Sequence, residues 1–223
     1  MTFNNNLIHQ AYRRMQEAAP EFAGWKIGAT NQAARKAVGA DGPFYAYLFD
    51  ERIFRGDEPV VTIPRQFDAV IVEVEICYRL RAFRSPYDNP AETIKDAFAA
   101  IELVLVPGGD LANLSLEYLL DNNGAHHGLV LGDVPLPLEE ISSALPISVW
   151  LNNRQPLAGS TDNVMDHPQN ALAWLLNDSE LPPDNIFEDA LVTTGSCTPV
   201  LSAGRGDRVR ARVGDLELSL RLE

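Results

Sequence analysis

The run Val70-Ile71-Val72-Glu73-Val74-Glu75-Ile76-Cys77-Tyr78 is apolar but for two glutamates set two residues apart. β-Branched and aromatic residues dominate this run, which predicts a strand reaching about Arg81. Alternation sends Glu73 and Glu75 to one face and Val72, Val74, Ile76 and Tyr78 to the other. A second apolar run, Ala100-Ile101-Glu102-Leu103-Val104-Leu105-Val106, predicts another strand closed by Pro107-Gly108-Gly109, with Glu102 inside it.

Weaker patterns fill in the rest. Leu7, Ile8, Ala11, Tyr12 and Met15 share one helix face, which predicts a helix from Asn6 to Ala19 stopped by Pro20. Gly24 to Thr30 reads as extended. Asn31 is placed to cap a short helix through Val38, ended by Gly39. Val60 to Ile63 is a short strand, Ala91 to Ala99 a helix opened by Asn89-Pro90, and Leu114 to Leu120 a short helix before the turn Asp121-Asn122-Asn123-Gly124. Gly128 to Gly132 is strand-like, and Ile147 to Asn152 with Gln155 to Gly159 reads as a hairpin. His167 to Asn177 is amphipathic and helical, with Pro168 in its first turn. Late strands are expected at Ala190 to Thr194, Arg208 to Val213 and Leu216 to Leu222. Strands outnumber helices and do not alternate with them, which predicts an α+β, mostly β fold with peripheral helices rather than a doubly wound sheet. The 223 residues suit a single catalytic domain, 1–223, with residues 1–40 forming a short helical and extended portion packed on it. There is no Walker loop and no Gly-x-Gly-x-x-Gly pattern.

Composition narrows the setting. A formal net charge of −13 argues against a nucleic-acid partner. No apolar run is long enough to span a membrane, and Met1 to Asn6 lacks the basic and apolar regions of a secretory signal. Two cysteines, Cys77 and Cys197, are too few for a disulfide framework, so a reducing cytoplasm is the expected setting.

The candidate chemistry starts from the two glutamates of the first strand. Carboxylates roughly 7 Å apart on a rigid strand repel each other, and solvent, a shared proton or a cation relieves that. Taken alone, the pair fits a wet sheet face as well as a cation site. Glu102 tips the balance, because a glutamate inside an apolar run is costly unless paired or liganded, and consecutive strands often pair. Three carboxylates without His or Cys suit Mg²⁺, Mn²⁺ or Ca²⁺, not zinc or copper. An ion pair of Glu102 with Arg79 or Arg81 is the plain alternative. Lys26, between Trp25 and Ile27, reads as a pocket cation or as a surface lysine. Asp50 is an acid–base candidate or a turn residue, and Thr193-Thr194-Gly195-Ser196 a carboxylate cradle or an ordinary loop. Adjacent side chains diverge on a strand, so His126-His127 reads as structural or superficial. Cys77 shares the glutamates' face and reads as a buried, inert thiol.

In order along the chain, these segments resemble the fumarylacetoacetate hydrolase superfamily, and within it the 2-keto-4-pentenoate hydratase/4-oxalocrotonate decarboxylase branch. The similar segments are Trp25-Lys26-Ile27-Gly28-Ala29-Thr30, Tyr47-Leu48-Phe49-Asp50, Glu73-Val74-Glu75, Ala100-Ile101-Glu102-Leu103-Val104, Asp121-Asn122-Asn123 through Val130-Leu131-Gly132, Ala171-Leu172-Ala173-Trp174-Leu175, Thr194-Gly195-Ser196 and Gly206-Asp207-Arg208-Val209. The resemblance implies a mixed β-sandwich or β-roll of the superfamily's C-terminal type around Mg²⁺ or Mn²⁺. Glu73, Glu75 and Glu102 would be the metal ligands, Lys26 and Asp50 the catalytic groups, and Ser196, Thr194 and Asn122 the substrate contacts. It further implies a small-molecule 2-oxo acid substrate, hydration or decarboxylation of a 2-oxo- or 2-hydroxy-dienoate, and a homo-oligomer. Glutamate as third ligand favours that branch over the hydrolases, which usually place aspartate there. An acylpyruvate-type C–C hydrolase would want a His–Glu pair, for which the sequence offers only His9 ahead of the metal motif. A non-catalytic partner subunit is the third reading. Two departures stand out: a short N-terminal portion, and His126-His127 in place of small residues.

Overall fold

The computed structural model describes residues 8, 10–14, 22–82, 89–109, 114–177 and 186–223. Of the expected N-terminal helix, residues 10–14 are helical; most of its remainder and His9 lie outside the described residues.

Two sheets dominate. The first has eight strands, ordered β2 (Phe44–Leu48), β1 (Gly24–Gly28), β10 (Leu191–Thr193), β5 (Ala69–Leu80), β6 (Ile94–Leu105), β7 (His126–Leu136) and β3 (Ile53–Phe54), with β11 (Leu201–Gly204) also paired to β5. The second runs β4 (Val60–Val61), β13 (Leu216–Leu222), β12 (Arg208–Val213), β8 (Pro146–Leu151) and β9 (Leu157–Ser160). The expected mostly β architecture is therefore observed, as is the β8–β9 hairpin.

The edge strands of the first sheet, β2 and β3, are separated by only residues 49–52, the last three a 3₁₀ turn. So short a link brings the two edges together, and the sheet curls on itself. Its interior face carries a small apolar cluster of Ala23, Leu48, Cys77, Phe98, Ala100, Leu129, Leu131 and Leu191. The opposite face of β5, with Val70, Val72, Val74 and Ile76, joins the main core, which takes in Val209, Ala211 and Val213 of β12 and Leu172, Leu175 and Leu176 of the helix Pro168–Asn177.

The expected helix at Ala91–Ala99 is not formed. One helical turn, Pro90–Thr93, capped by Asn89, gives way to strand at Ile94. Alanine's helix preference is worth less than about 1 kcal/mol per residue. Here it loses to pairing on both edges, since β6 pairs with β5 from Ile94 to Leu105 and with β7 along much of the same length. By contrast the Gln32–Val38 helix forms as expected, because its signals are local. The Asn31 side chain accepts from the Ala34 N–H at 2.8 Å and Gly39 closes the C-terminus at φ 70°.

Gly24 sits where β1 passes closest to β10. A Cβ there would lie 1.8 Å from the Leu191 carbonyl oxygen, at a backbone φ of 152°. Gly24→Ala is therefore expected to part β1 from β10 and cost about 3 kcal/mol or more. Urea unfolding, or loss of soluble folded protein, checks this; an unchanged midpoint would refute the close approach.

Candidate metal and acid site

Strand pairing assembles the site. Glu73 lies directly opposite Glu102 in the β5–β6 register, and Glu75 opposite Ala100. Cys77 pairs with Thr193, and Thr193 with Lys26. Paired residues share a face, so Lys26 joins the glutamates on the interior of the curled sheet. One carboxylate oxygen from each of Glu73, Glu75 and Glu102 lies within 4.8 Å of the others. Glu75 and Glu102 are fully buried and Glu73 is half-buried.

Each inner carboxylate is held by one oxygen only. Glu102 Oε1 takes Lys26 Nζ at 3.2 Å and His126 Nδ1 at 2.8 Å. Glu75 Oε2 accepts from the Gly195 N–H at 2.9 Å. The other oxygens, Glu75 Oε1 and Glu102 Oε2, are buried and have no hydrogen-bond partner. Two orphaned carboxylate oxygens in one buried cluster are costly, and a cation held by the glutamates would satisfy both. The donor set, three carboxylates with no thiolate, fits a hard divalent ion.

Gly195 makes this possible. β10 covers the edge of β5 opposite β6 at Cys77–Arg79, and β11 covers it at Ala69–Val72. The connection between them crosses the gap with Gly195 at φ 100°, and a Cβ there would fall 2.1 Å from Thr30 Oγ1.

Protonation is uneven. Burial alone would raise Glu102, but Lys26 and His126 hold it down, to about 2. Burial raises Glu73 to about 7 against the pull of Lys26, with Glu102 adding repulsion. Burial, then Glu102 and Glu73, push Glu75 well above the ordinary carboxylate range. Burial disfavours charge on Lys26, yet the three glutamates together raise its pKa. Lys26 is thus an ammonium at neutral pH, suited to hold an anion or donate a proton and not to act as a base.

The remaining sequence candidates divide. Ser196 lines the cavity beside Lys26 and Glu73, its hydroxyl donating to the Thr198 carbonyl at 3.0 Å. Thr194 does not line it; its hydroxyl is spent on the Ile76 carbonyl. Asn122 is exposed and closes the helix Leu116–Asp121, donating to the Tyr118 carbonyl at 2.8 Å. Asp50 opens the exposed 3₁₀ turn between β2 and β3 and is absent from the cavity wall. Neither arginine is the partner of Glu102: Arg79 binds Asp96 at 2.8 Å and Arg81 binds backbone carbonyls. Cys77 is buried in the interior cluster, where burial pushes its thiol up, as expected of an inert group.

His126 is the residue that sequence reasoning missed. Strict alternation from the Leu129–Glu102 pair would turn His127 toward Glu102. A register shift between Leu103 and Val104 instead sets His126 opposite Val104. His126 thereby reaches Glu102, while His127 turns away to the Thr62 carbonyl at 2.9 Å. The two side chains do diverge, and His127 is structural; a β-bulge decides which one enters the site, and no local pattern announces it.

No protein-family model matches the chain. Among curated proteins it is 26% identical over 212 residues to the 2-oxo-hept-4-ene-1,7-dioate hydratase of Escherichia coli, covering 86% of this chain and 75% of that one. Among solved structures it matches the 4-oxalocrotonate decarboxylase of Pseudomonas putida G7, complexed with magnesium and adipate. That match has a TM-score of 0.82 at 20% identity and covers 97% of this chain and 86% of that one. The fumarylpyruvate hydrolase of Pseudomonas aeruginosa, in complex with Mn²⁺ and pyruvate, follows at a TM-score of 0.68 and 15% identity, with 92% of each chain covered. The fold is of the fumarylacetoacetate hydrolase type, and the relatives include the hydratases and decarboxylase of the branch that the motifs resemble.

A carboxyl whose pKa is raised on folding costs stability once the pH passes its unfolded value, and the cost is complete above its folded value. For Glu73 that window runs from the ordinary glutamate value of 4.5 to about 7. In metal-free protein, Glu73→Gln is therefore expected to be more stable than the parent at pH 8 by about 1–2 kcal/mol, discounted for partial exposure, with the advantage gone near pH 5. Urea unfolding with a chelator present measures it. A variant less stable than the parent at pH 8 would mean that this acid serves the fold.

Proposed function

We propose that the chain is a divalent-metal-dependent lyase that hydrates or decarboxylates a 2-oxo- or 2-hydroxy-dienoate such as 2-keto-4-pentenoate. The observation that carries this reading is the convergence of Glu73, Glu75 and Glu102, with two buried unpartnered oxygens, beside a buried ammonium and an open cavity. Glu73, Glu75 and Glu102 would hold Mg²⁺ or Mn²⁺. Once bound, the ion supplies Lewis-acid stabilisation of negative charge on the substrate's carboxylate and 2-oxygen.

The chain's own groups do the rest. Lys26, fixed by Glu102 and pressed against Phe44 with Nζ 5.7 Å from the ring centroid, presents a cation to the developing enolate. Its raised pKa keeps a proton available for return to carbon or oxygen. The Gly195–Ser196 segment borders the same cavity and supplies a hydroxyl at its polar end. Asp50, exposed and outside the cavity wall, takes no part in this reading.

One observation favours hydrolysis: a buried His–Glu pair does exist, His126 with Glu102. Its free nitrogen, Nε2, is buried, and His126 does not border the cavity, so this histidine has no route to an attacking water. Lyase chemistry is the better fit. A small-molecule 2-oxo acid substrate, a cytoplasmic setting and a homo-oligomer belong to the same reading. No described helix is long and apolar enough to cross a membrane, and light scattering in solution tests the assembly.

Two outcomes are expected. Mn²⁺ binding, measured by calorimetry, is lost in Glu75→Gln. In the parent it weakens about tenfold from pH 8 to pH 6 through Glu73 alone, and more steeply as Glu75 also holds its proton, because a ligand must shed its proton to bind. Unchanged binding in the variant, or affinity flat with pH, refutes the ligand set. With metal bound, 2-hydroxypenta-2,4-dienoate or oxalocrotonate should be turned over and an acylpyruvate should not. Turnover of the acylpyruvate alone would establish the hydrolase, and metal binding without any turnover the partner subunit.

A further inference from the structure

The cavity beside the carboxylates, about 300 Å³, has a lining of two kinds. Polar groups come from Lys26, Glu73, Thr30, Asn31, Ser196 and Thr198; hydrocarbon comes from Ala33, Ala34, Ala37 and Val38 with Leu114 and Leu119. The four residues of the Gln32–Val38 helix fall on one side of it at i, i+1, i+4 and i+5. That helix nevertheless buries none of its residues, and Ala33 and Ala37 remain exposed. Val38 packs against the main core, but the alanines of this face border the cavity, and such a face is shaped to meet a ligand's hydrocarbon. The helix's own cations are turned elsewhere: Arg35 Nη1 reaches back to the Ala29 carbonyl at 3.4 Å, and Lys36 is exposed and outside the wall.

Among the described residues Lys26 is the one cationic side chain in the wall, and Glu102 already holds it. The other polar side chains of the lining, Thr30, Asn31, Ser196 and Thr198, are uncharged, so a ligand anchored by one carboxylate would find no second cation for another. That second charge would face alanine and leucine carbons, and its desolvation would go uncompensated.

We propose that this cavity selects a 2-oxo acid whose chain beyond the carboxylate and 2-oxo group is a short uncharged hydrocarbon, and that it discriminates against a terminal second carboxylate. The proposal rests on the reading above, in which the 2-oxo acid head lies at the three glutamates, and within it favours hydration of a monoacid over decarboxylation of oxalocrotonate, which carries the second carboxylate.

Two unreactive acids that differ only at the far end test it: 2-oxohexanoate, ending in methyl, and 2-oxohexanedioate, ending in carboxylate. Calorimetry on the Mn²⁺-loaded protein is expected to show the monoacid bound at least about tenfold more tightly. Equal or tighter binding of the dioate, with both acids needing Mn²⁺, overturns the proposal and leaves the metal-centred reading intact. Failure of both acids to bind, or binding indifferent to Mn²⁺, overturns that reading and the proposal with it. Ala34→Arg places a guanidinium on the apolar wall and is expected to shift the affinity ratio toward the dioate by about tenfold. An unchanged ratio in a variant that melts like the parent would show that the tail does not run along this helix.

Discussion

Three carboxylates share the interior of a curled sheet with one ammonium, and much of the structure answers to that imbalance. Charges of one sign in a medium of low polarity repel strongly, and burial adds a desolvation cost to each. The chain divides the cost unequally. Glu102 is granted Lys26 and His126 and stays ionised, with a pKa held to about 2. Glu75 is granted one backbone N–H, and Glu73 one partly open side. An arrangement serving stability alone would do better with hydrocarbon, since well-packed apolar residues often match or exceed buried ion pairs. What the arrangement secures is a fixed constellation of three carboxylates that leaves Glu75 Oε1 and Glu102 Oε2 unpartnered.

The fold's geometry follows from holding those side chains still. β5 and β6 supply all three acids and are each twelve residues long, paired from Val70–Leu105 to Leu80–Ile94. Long antiparallel pairing fixes the Glu73–Glu102 contact more tightly than a loop could. Curling brings Lys26 round from β1, two strands beyond β5, onto the same interior face. The apolar cluster around Leu129 and Phe98 fills the rest of that face and keeps water from screening the acids from below.

How much of this the sequence disclosed depends on how local each signal was. Glu73 and Glu75 were legible because alternation is a property of the strand itself. Glu102 was legible because adjacent strands in sequence tend to pair, and they do. The cap of Asn31 and the stop at Gly39 were legible for the same local reason. The strand at Ile94–Ala99 was not: its alanines and charges read as helix, and only neighbours on both sides make it extended. His126 was hidden by a one-residue register shift, since side-chain direction inverts with each residue of slippage. Asp50 and Thr194 matched a motif, yet one sits on the outside of a turn and the other spends its hydroxyl on a backbone carbonyl.

These differences also separate what the two ends of the site can encode. The acid end is built on paired strands, where any change of register would scatter the glutamates, so its chemistry is tied to the fold. The far end is built on a seven-residue helix with local caps at both ends and no buried residues. Apart from Val38, which packs against the main core, its residues bear on no buried core position, so its alanine face can change without dismantling the carboxylate cluster. Reaction class is therefore expected to follow the sheet, and substrate preference to follow the helix.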